Sequence, residues 1–122
     1  FSFLNRNEEN PNQITGVGMP INPYLWKASL NTIDFMPLSS TDPFAGTIIT
    51  DWYTAQTNLG ERCKLNIFIN GKELKTDNLK VSSFCQKLKD NQWVNMPSKS
   101  EENTRLENAI LNEAKKIRLS AG

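Results

Sequence analysis

The residues of this chain that could do chemistry are two cysteines, Cys63 and Cys85, and scattered carboxylates, with no histidine among 122 residues. Serine and cysteine nucleophiles usually depend on a histidine base, so the sequence does not favour a hydrolytic centre. Two cysteines are also too few for a zinc finger or a disulfide-rich scaffold. We therefore predict a protein that is not an enzyme and that has no catalytic residue, metal site or cofactor.

The carboxylates lack the partners that acid–base or metal chemistry requires. Asp42 precedes Pro43 in a turn-forming dipeptide, and Asp51 follows the apolar part of a predicted strand. A structural role is the simpler interpretation of both aspartates. The same region is nevertheless our candidate interaction surface, which comprises Asp42, Pro43, Phe44, Asp51 and Tyr53, with Phe44 as an exposed apolar anchor.

The two cysteines can meet in only one strand register. If Ile69 faces Leu79 in an antiparallel pair, Cys63 faces Cys85 and a disulfide is possible. A tight hairpin at Asn70-Gly71, the favoured pair for such a turn, would shift the register and separate the cysteines. We expect buried free thiols, with the disulfide as the alternative. A disulfide would indicate an oxidising compartment.

The composition excludes several classes of partner. The net charge is +1 and the pI about 7.9, which is too balanced for a dedicated nucleic-acid-binding protein. Residues 61–89 hold seven basic and three acidic residues, which we interpret as a solvated sheet face, with a surface for anionic headgroups or an acidic partner as the alternative. This segment shows no interleaved exposed aromatics, as single-stranded nucleic acid would need. The three tryptophans are interpreted as core or core rim, and no apolar run approaches the ~20 residues that span a bilayer.

Two amphipathic helices are predicted to flank the rest of the chain. Asn22-Pro23 provides an N-cap and a first-turn proline for a helix that ends near Thr32. Ser98 and Glu101 match a capping box for the last helix. Its apolar stripe consists of Leu106, Ala109, Ile110, Ala114 and Ile117. Residues 1–20 are polar and aperiodic, so we predict a flexible linker there and a single domain over 21–120.

Alternation of apolar and polar residues predicts strands between the helices. A short strand is also expected over Ile33–Leu38, where Pro37 requires an edge position or a strand end, and it is followed by a turn cluster at 39–43. The predicted fold is α+β, an antiparallel meander of about four strands with both helices packed on one face. The main strands are Thr47–Tyr53, Arg62–Ile69, Leu79–Leu88 and Gln92–Asn95.

Three runs, Asn22–Gly46, Ile48–Tyr53 and Leu106–Leu111, resemble a family of uncharacterised proteobacterial proteins. The resemblance covers roughly residues 16–119. It implies a secretory or lipoprotein signal ahead of the domain, but no activity. The order of helices and strands is more loosely similar to the helix-grip domains of the small lipoprotein in the outer-membrane barrel-assembly machinery, which is an analogy of layout.

The functional expectation is a non-catalytic interaction domain of the bacterial periplasm with a protein partner in the cell envelope. Because the chain begins at Phe1, we expect an N-terminal membrane anchor to precede it. The oligomeric state is left open, and no nucleic-acid partner is expected. The alternative is a carrier of a small apolar ligand, held in a groove between helix and sheet that Trp26, Ile48 and Ile67 would line.

Overall fold

The computed structural model describes residues 19–121. The linker predicted for residues 1–20 lies outside this part of the chain, except for its last two residues. Two helices and an antiparallel sheet form the described part, which confirms the α+β class. The elements are α1 (Pro23–Thr32), β1 (Leu38–Asp42), β2 (Thr47–Thr50), β3 (Glu61–Ile69), a short 3-10 turn (Thr76–Asn78), β4 (Leu79–Lys89), β5 (Gln92–Asn95) and α2 (Ser100–Ala121).

The strands form a meander in the order β1-β2-β3-β4-β5, so the described residues contain five strands where about four were predicted. The additional strand, β1, lies where a turn cluster was predicted. Residues 33–36 before it form turns and a bend, so the predicted strand over Ile33–Leu38 was wrong. Ile33 and Met36 are buried in the core, although they do not belong to a strand. β1 is an exposed polar edge strand, so it has no apolar alternation by which the sequence could reveal it.

Helix α1 begins as predicted. The Asn22 side-chain oxygen accepts hydrogen bonds from the backbone N–H groups of Tyr24 and Leu25, both at 2.9 Å. The Asn22 side-chain amide also donates to the Lys72 carbonyl oxygen at 2.9 Å. One side chain therefore caps the helix and fixes it to the loop between β3 and β4.

Both helices contribute to one core against a single face of the sheet. Leu25 and Ala28 of α1 and Ile110 and Ala114 of α2 are fully buried. α2 begins at Ser100, one residue later than a helix with Ser98 as its N-cap would begin. Ala109, predicted in the apolar stripe, is exposed. The buried sheet residues are Ile48, Thr50, Leu65, Ile67, Ile69, Leu79, Val81 and Cys85.

The β1–β2 hairpin depends on Gly46, whose φ of 73° lies in the left-handed region. Its N–H donates to the Asp42 carbonyl oxygen, and its own carbonyl oxygen accepts from the Ile69 N–H. A Cβ atom at this position would overlap the Ile69 carbonyl oxygen. The hairpin tip thus packs against the end of β3 only because residue 46 has no side chain.

Gly46→Ala is expected to lower the free energy of unfolding by about 2 kcal/mol, because it combines a left-handed backbone with a steric overlap. Urea unfolding of the two proteins measures the difference. Gly60→Ala is the matched control, since a Cβ there would meet nothing closer than 3.8 Å. If both substitutions have the same effect, the described packing of the hairpin tip is wrong.

An irregularity between β2 and β3 ends β2 at Thr50 rather than at the predicted Tyr53. Ile49 pairs with Asn66 and Tyr53 bridges to Cys63. The four residue steps from Ile49 to Tyr53 therefore lie opposite only three residue steps of β3. This is the geometry of a β-bulge, which reverses the side-chain phase beyond it. Trp52 was predicted on the same face as Ile48, and the bulge places it on the opposite face.

Thr50 fills the gap in the hydrogen-bond ladder that the bulge leaves. Its side chain is buried, and its hydroxyl oxygen accepts a hydrogen bond from the Leu65 N–H at 2.8 Å. A buried backbone donor without a partner destabilises a fold by roughly 1–3 kcal/mol. The polar residue therefore lies inside the core because the Leu65 N–H needs an acceptor there.

Thr50→Val keeps the shape of the side chain and removes that acceptor. We expect the free energy of unfolding to fall by about 2 kcal/mol, measured by urea unfolding. Thr41→Val, on exposed β1, is the control and is expected to change stability by less than about 0.5 kcal/mol. Equal stability of Thr50→Val and the unmodified protein would contradict the proposed role of the hydroxyl.

Candidate interaction surface

The structure explains Asp42 as a turn-building residue. Its carboxylate accepts hydrogen bonds from the backbone N–H groups of Phe44 and Ala45 at 3.0 and 3.1 Å, which is the usual behaviour of aspartate in a turn. Phe44 is 60% exposed at the tip of the β1–β2 hairpin, next to Pro43. Phe44 is therefore exposed as expected, while the Asp42 carboxylate accepts hydrogen bonds within the turn.

Asp51 and Tyr53 lie at the other end of β2. The Asp51 carboxylate accepts a hydrogen bond from the Trp52 N–H at 2.8 Å. The Tyr53 ring packs edge-on against Phe35, with 5.1 Å between ring centroids. Asp51 and Tyr53 follow Thr47, which is next to the hairpin tip, by four and six residues. Each extended residue spans about 3.3 Å along the chain. The five predicted residues thus do not form one surface, and a binding role for them stays a prediction.

A different candidate surface lies on the side of the sheet that the helices leave uncovered. We call this side of the sheet the open face. Its apolar members in β3 and β4 are Phe68, Phe84 and Leu88, exposed at 40%, 48% and 40%. Our expectation that this segment lacks exposed aromatics was wrong. The alternation that predicted Cys63 and Leu65 as inward-facing also predicts Phe68 as outward-facing, and that signal was not used.

Arg62 lies between two tryptophan rings at one end of the open face. Its guanidinium carbon is 4.4 Å from the centroid of Trp52 and 4.3 Å from that of Trp93. Its Nε and Nη2 atoms both donate to the side-chain oxygen of Gln86, at 2.8 and 2.6 Å. Stacking and paired hydrogen bonds hold the arginine in a fixed position. The two tryptophans were predicted in the core or at its rim, but both are half-buried on the open face, on the other side of the sheet from the core.

The open face is positively charged. The outward positions of β3 and β4 carry Arg62, Lys64 and Lys80, and no carboxylate. Glu61 is oriented away from this face and accepts a hydrogen bond from the Lys99 ammonium group at 2.7 Å. This hydrogen bond raises the pKa of Lys99 above its ordinary value. Because no carboxylate of residues 19–121 forms an ion pair with these three cations, the open face favours a partner with negative charge.

The structure joins Cys63 and Cys85 in a disulfide, so the favoured free-thiol alternative is not what it shows. The register pairs Ile69 with Leu79. The connection between β3 and β4 is therefore a wider loop and not the tight hairpin at Asn70-Gly71. Both backbone hydrogen bonds of Cys63 go to Tyr53, which lies just beyond the end of β2. The cysteines therefore form a non-hydrogen-bonded pair, the closer kind, with 4.1 Å between Cα atoms.

One group of possible metal ligands lies at the same place. The Glu61 carboxylate and the sulfur atoms of Cys63 and Cys85 come within 4.8 Å of one another. Zinc and similar metals bind cysteine as the thiolate. Because the disulfide leaves no thiolate, this group does not form a metal site in the described state.

Residues 19–119 match the family described as "Domain of unknown function (DUF3576)". Since the match covers most of the chain, the chain belongs to this family. The resemblance to uncharacterised proteobacterial proteins is thereby confirmed. The family description contains no activity and no site residue, so the surface has to be interpreted from its own geometry.

A curated relative is "Uncharacterized protein RP420" from Rickettsia prowazekii (strain Madrid E), which is 40% identical over 105 residues. The aligned region covers 86% of this chain and 63% of the relative. The chain thus spans less than two thirds of that protein. No solved structure matches. Neither α1 nor α2, the helices of the described part, is both long and apolar enough to cross a bilayer.

Proposed function

We propose that this chain is a non-catalytic interaction domain of the bacterial periplasm, and that its open face binds a protein partner in the cell envelope. The observation that carries the proposal is the exposure of Phe68, Phe84 and Leu88 on the side of the sheet that the helices leave uncovered. Single exposed apolar residues are ordinary, but several on one face are typical of an interaction surface.

The polar members of the open face strengthen this interpretation. Arg62 is fixed between Trp52 and Trp93, so an interface there would lose little side-chain entropy on binding. Tryptophan and arginine are also the residue types that contribute most to measured interface energies. An aromatic and basic surface of this kind suits a partner that presents carboxylates around an apolar centre.

The disulfide supports the periplasm as the compartment. Disulfides persist in oxidising compartments and are rare in the cytoplasm of ordinary bacteria. The resemblance to secreted or lipoprotein-type domains has the same implication. In this proposal the domain contacts the membrane only through an N-terminal anchor, and the open face is directed toward the partner.

The burial of the core residues favours the interaction domain over the apolar-ligand carrier. A carrier groove between helix and sheet would have Trp26, Ile48 and Ile67 as its walls. These residues are 4%, 0% and 0% exposed, and they belong to one contiguous cluster of buried side chains. The carrier remains the outcome that the following experiment would detect instead.

The test is crosslinking and affinity purification of the full-length protein from gently solubilised envelopes of its source. We expect a reproducible envelope protein with the unmodified chain and its loss with Phe68→Ser/Phe84→Ser. Leu119→Ser, at the exposed end of α2, is the control and should retain the partner. A protein that has no partner and carries a lipid or small apolar molecule in native mass spectrometry would contradict the proposal.

A further inference from the structure

One half of β4 has no neighbouring strand on its second side within the described residues. β5 pairs with β4 only from Gln86 to Lys89. The half from Leu79 to Cys85 pairs with β3 and then ends the sheet. An unpaired strand edge presents backbone donors and acceptors, so natural proteins usually cover it.

Within residues 19–121, other segments cover this edge at both ends but not in the middle. The Val81 N–H donates to the Glu107 carboxylate of α2 at 2.8 Å. The Cys85 carbonyl oxygen accepts from the Met96 N–H at 2.9 Å. Ser83 lies between them with the same orientation, because alternate residues of a strand direct their N–H and C=O groups to the same side. Its hydroxyl oxygen is buried and has no hydrogen-bond partner in the described part of the chain.

A groove of about 540 Å³ lies at this position. Side chains from both faces of β4 line it, together with the segment after β5 and the first turn of α2. A lining that alternates between the two faces of one strand is expected of a groove along a strand edge. The lining residues are Lys80, Ser82, Ser83, Phe84, Cys85, Asn95, Met96, Ser98 and Asn103.

We propose that this groove receives an extended segment of the partner protein, which adds to β4 as a further strand and hydrogen-bonds to the Ser83 N–H and C=O groups. Strand addition of this kind obtains its affinity from main-chain hydrogen bonds and its specificity from alternate side chains. The inference rests on the proposed function, since it names the chemistry of the partner and one part of the surface that holds it.

Two features define the segment. Four residue steps separate Val81 from Cys85, about 13 Å of strand, which holds three or four extended residues. Lys80 is the one charged residue of the lining, so an acidic side chain is expected beside it. The added strand would lie next to Phe84, which also belongs to the open face. Groove and open face therefore form one continuous surface.

The test is selection of a phage-displayed library of random short peptides on the intact, oxidised protein, followed by affinity measurements on the enriched peptides. We expect enriched peptides with an acidic residue in an alternating pattern. Ser83→Pro removes the required N–H, which β3 does not use, and is expected to weaken binding at least about tenfold. Ser83→Ala keeps the N–H and should change affinity less than about twofold.

A second variant, Asn103→Trp, fills the groove from α2 without altering β4, and should weaken binding to a similar degree. Equal binding by Ser83→Pro and Asn103→Trp and by the unmodified protein would overturn the proposal, as would a library without enriched peptides. Peptides lost only with Phe68→Ser/Phe84→Ser would also overturn strand addition. In that case the proposed function of the open face would stand.

Discussion

Replacing Cys63 and Cys85 together by alanine is expected to lower the free energy of unfolding by about 3 kcal/mol, measured by urea unfolding. The disulfide closes a loop across 22 positions, and removal of such a link restores conformational freedom to the unfolded chain. A loss of this size is a large part of the roughly 5–15 kcal/mol that stabilises a typical domain.

Reduction of the unmodified protein provides the control for this prediction. A thiol reductant should lower its stability to that of the double alanine variant and should leave the variant unchanged. A variant within about 0.5 kcal/mol of the oxidised protein would show that the disulfide is not a stabilising element.

Phe68→Ser/Phe84→Ser is expected to weaken binding of the crosslinked partner by about 100-fold, measured by surface plasmon resonance. Truncation of a central interface aromatic typically lowers the binding free energy by about 2 kcal/mol or more, and tenfold corresponds to about 1.4 kcal/mol. Both rings are 40% or more exposed in the domain alone. The free energy of unfolding should therefore change by less than about 1 kcal/mol.

Leu119→Ser is the matched control, because Leu119 is 78% exposed at the end of α2. It removes a still more exposed apolar side chain from a different part of the surface and should leave the affinity unchanged. An equal loss in both variants would indicate a general effect of surface hydrophobicity. That outcome would contradict the assignment of the interface to the open face.

The sequence contains strong local signals for most of this fold. Asn22-Pro23 predicts the start of α1, and β5 has the predicted bounds Gln92–Asn95. β3 and β4 differ from the predicted strands by one residue each. The alternation of apolar and polar residues, strict in β3 and interrupted at Ser83 in β4, indicates which side chains face the core. Asp90 and Asn91 both have positive φ angles, as a two-residue turn between β4 and β5 requires.

The features that the sequence could not reveal depend on contacts between distant segments. β1 forms because β2 offers it a hydrogen-bonding edge, and its exposed residues need no apolar pattern. The bulge after Thr50 depends on the pairing of Tyr53 with Cys63, which no local signal predicts. Because the bulge determines where Trp52 lies, the stack around Arg62 was also beyond sequence reasoning.

The candidate site was predictable only in part. Phe44 is exposed as predicted, but residues grouped by nearness in sequence proved to lie at opposite ends of β2. Phe68 and Phe84 could have been recognised from strand alternation alone. The choice between thiols and a disulfide was not accessible, since it depends on the loop from 70 to 78 that determines the register of β3 and β4.

The most direct test of the account is photo-crosslinking from the open face itself. Purified protein with p-benzoylphenylalanine in place of Phe84 is irradiated with solubilised envelopes of its source, beside protein with the same group in place of Ala109 on α2, which is also exposed. The account predicts one reproducible protein adduct from position 84 and none from position 109. No adduct from position 84, or the same adducts from both positions, would contradict it.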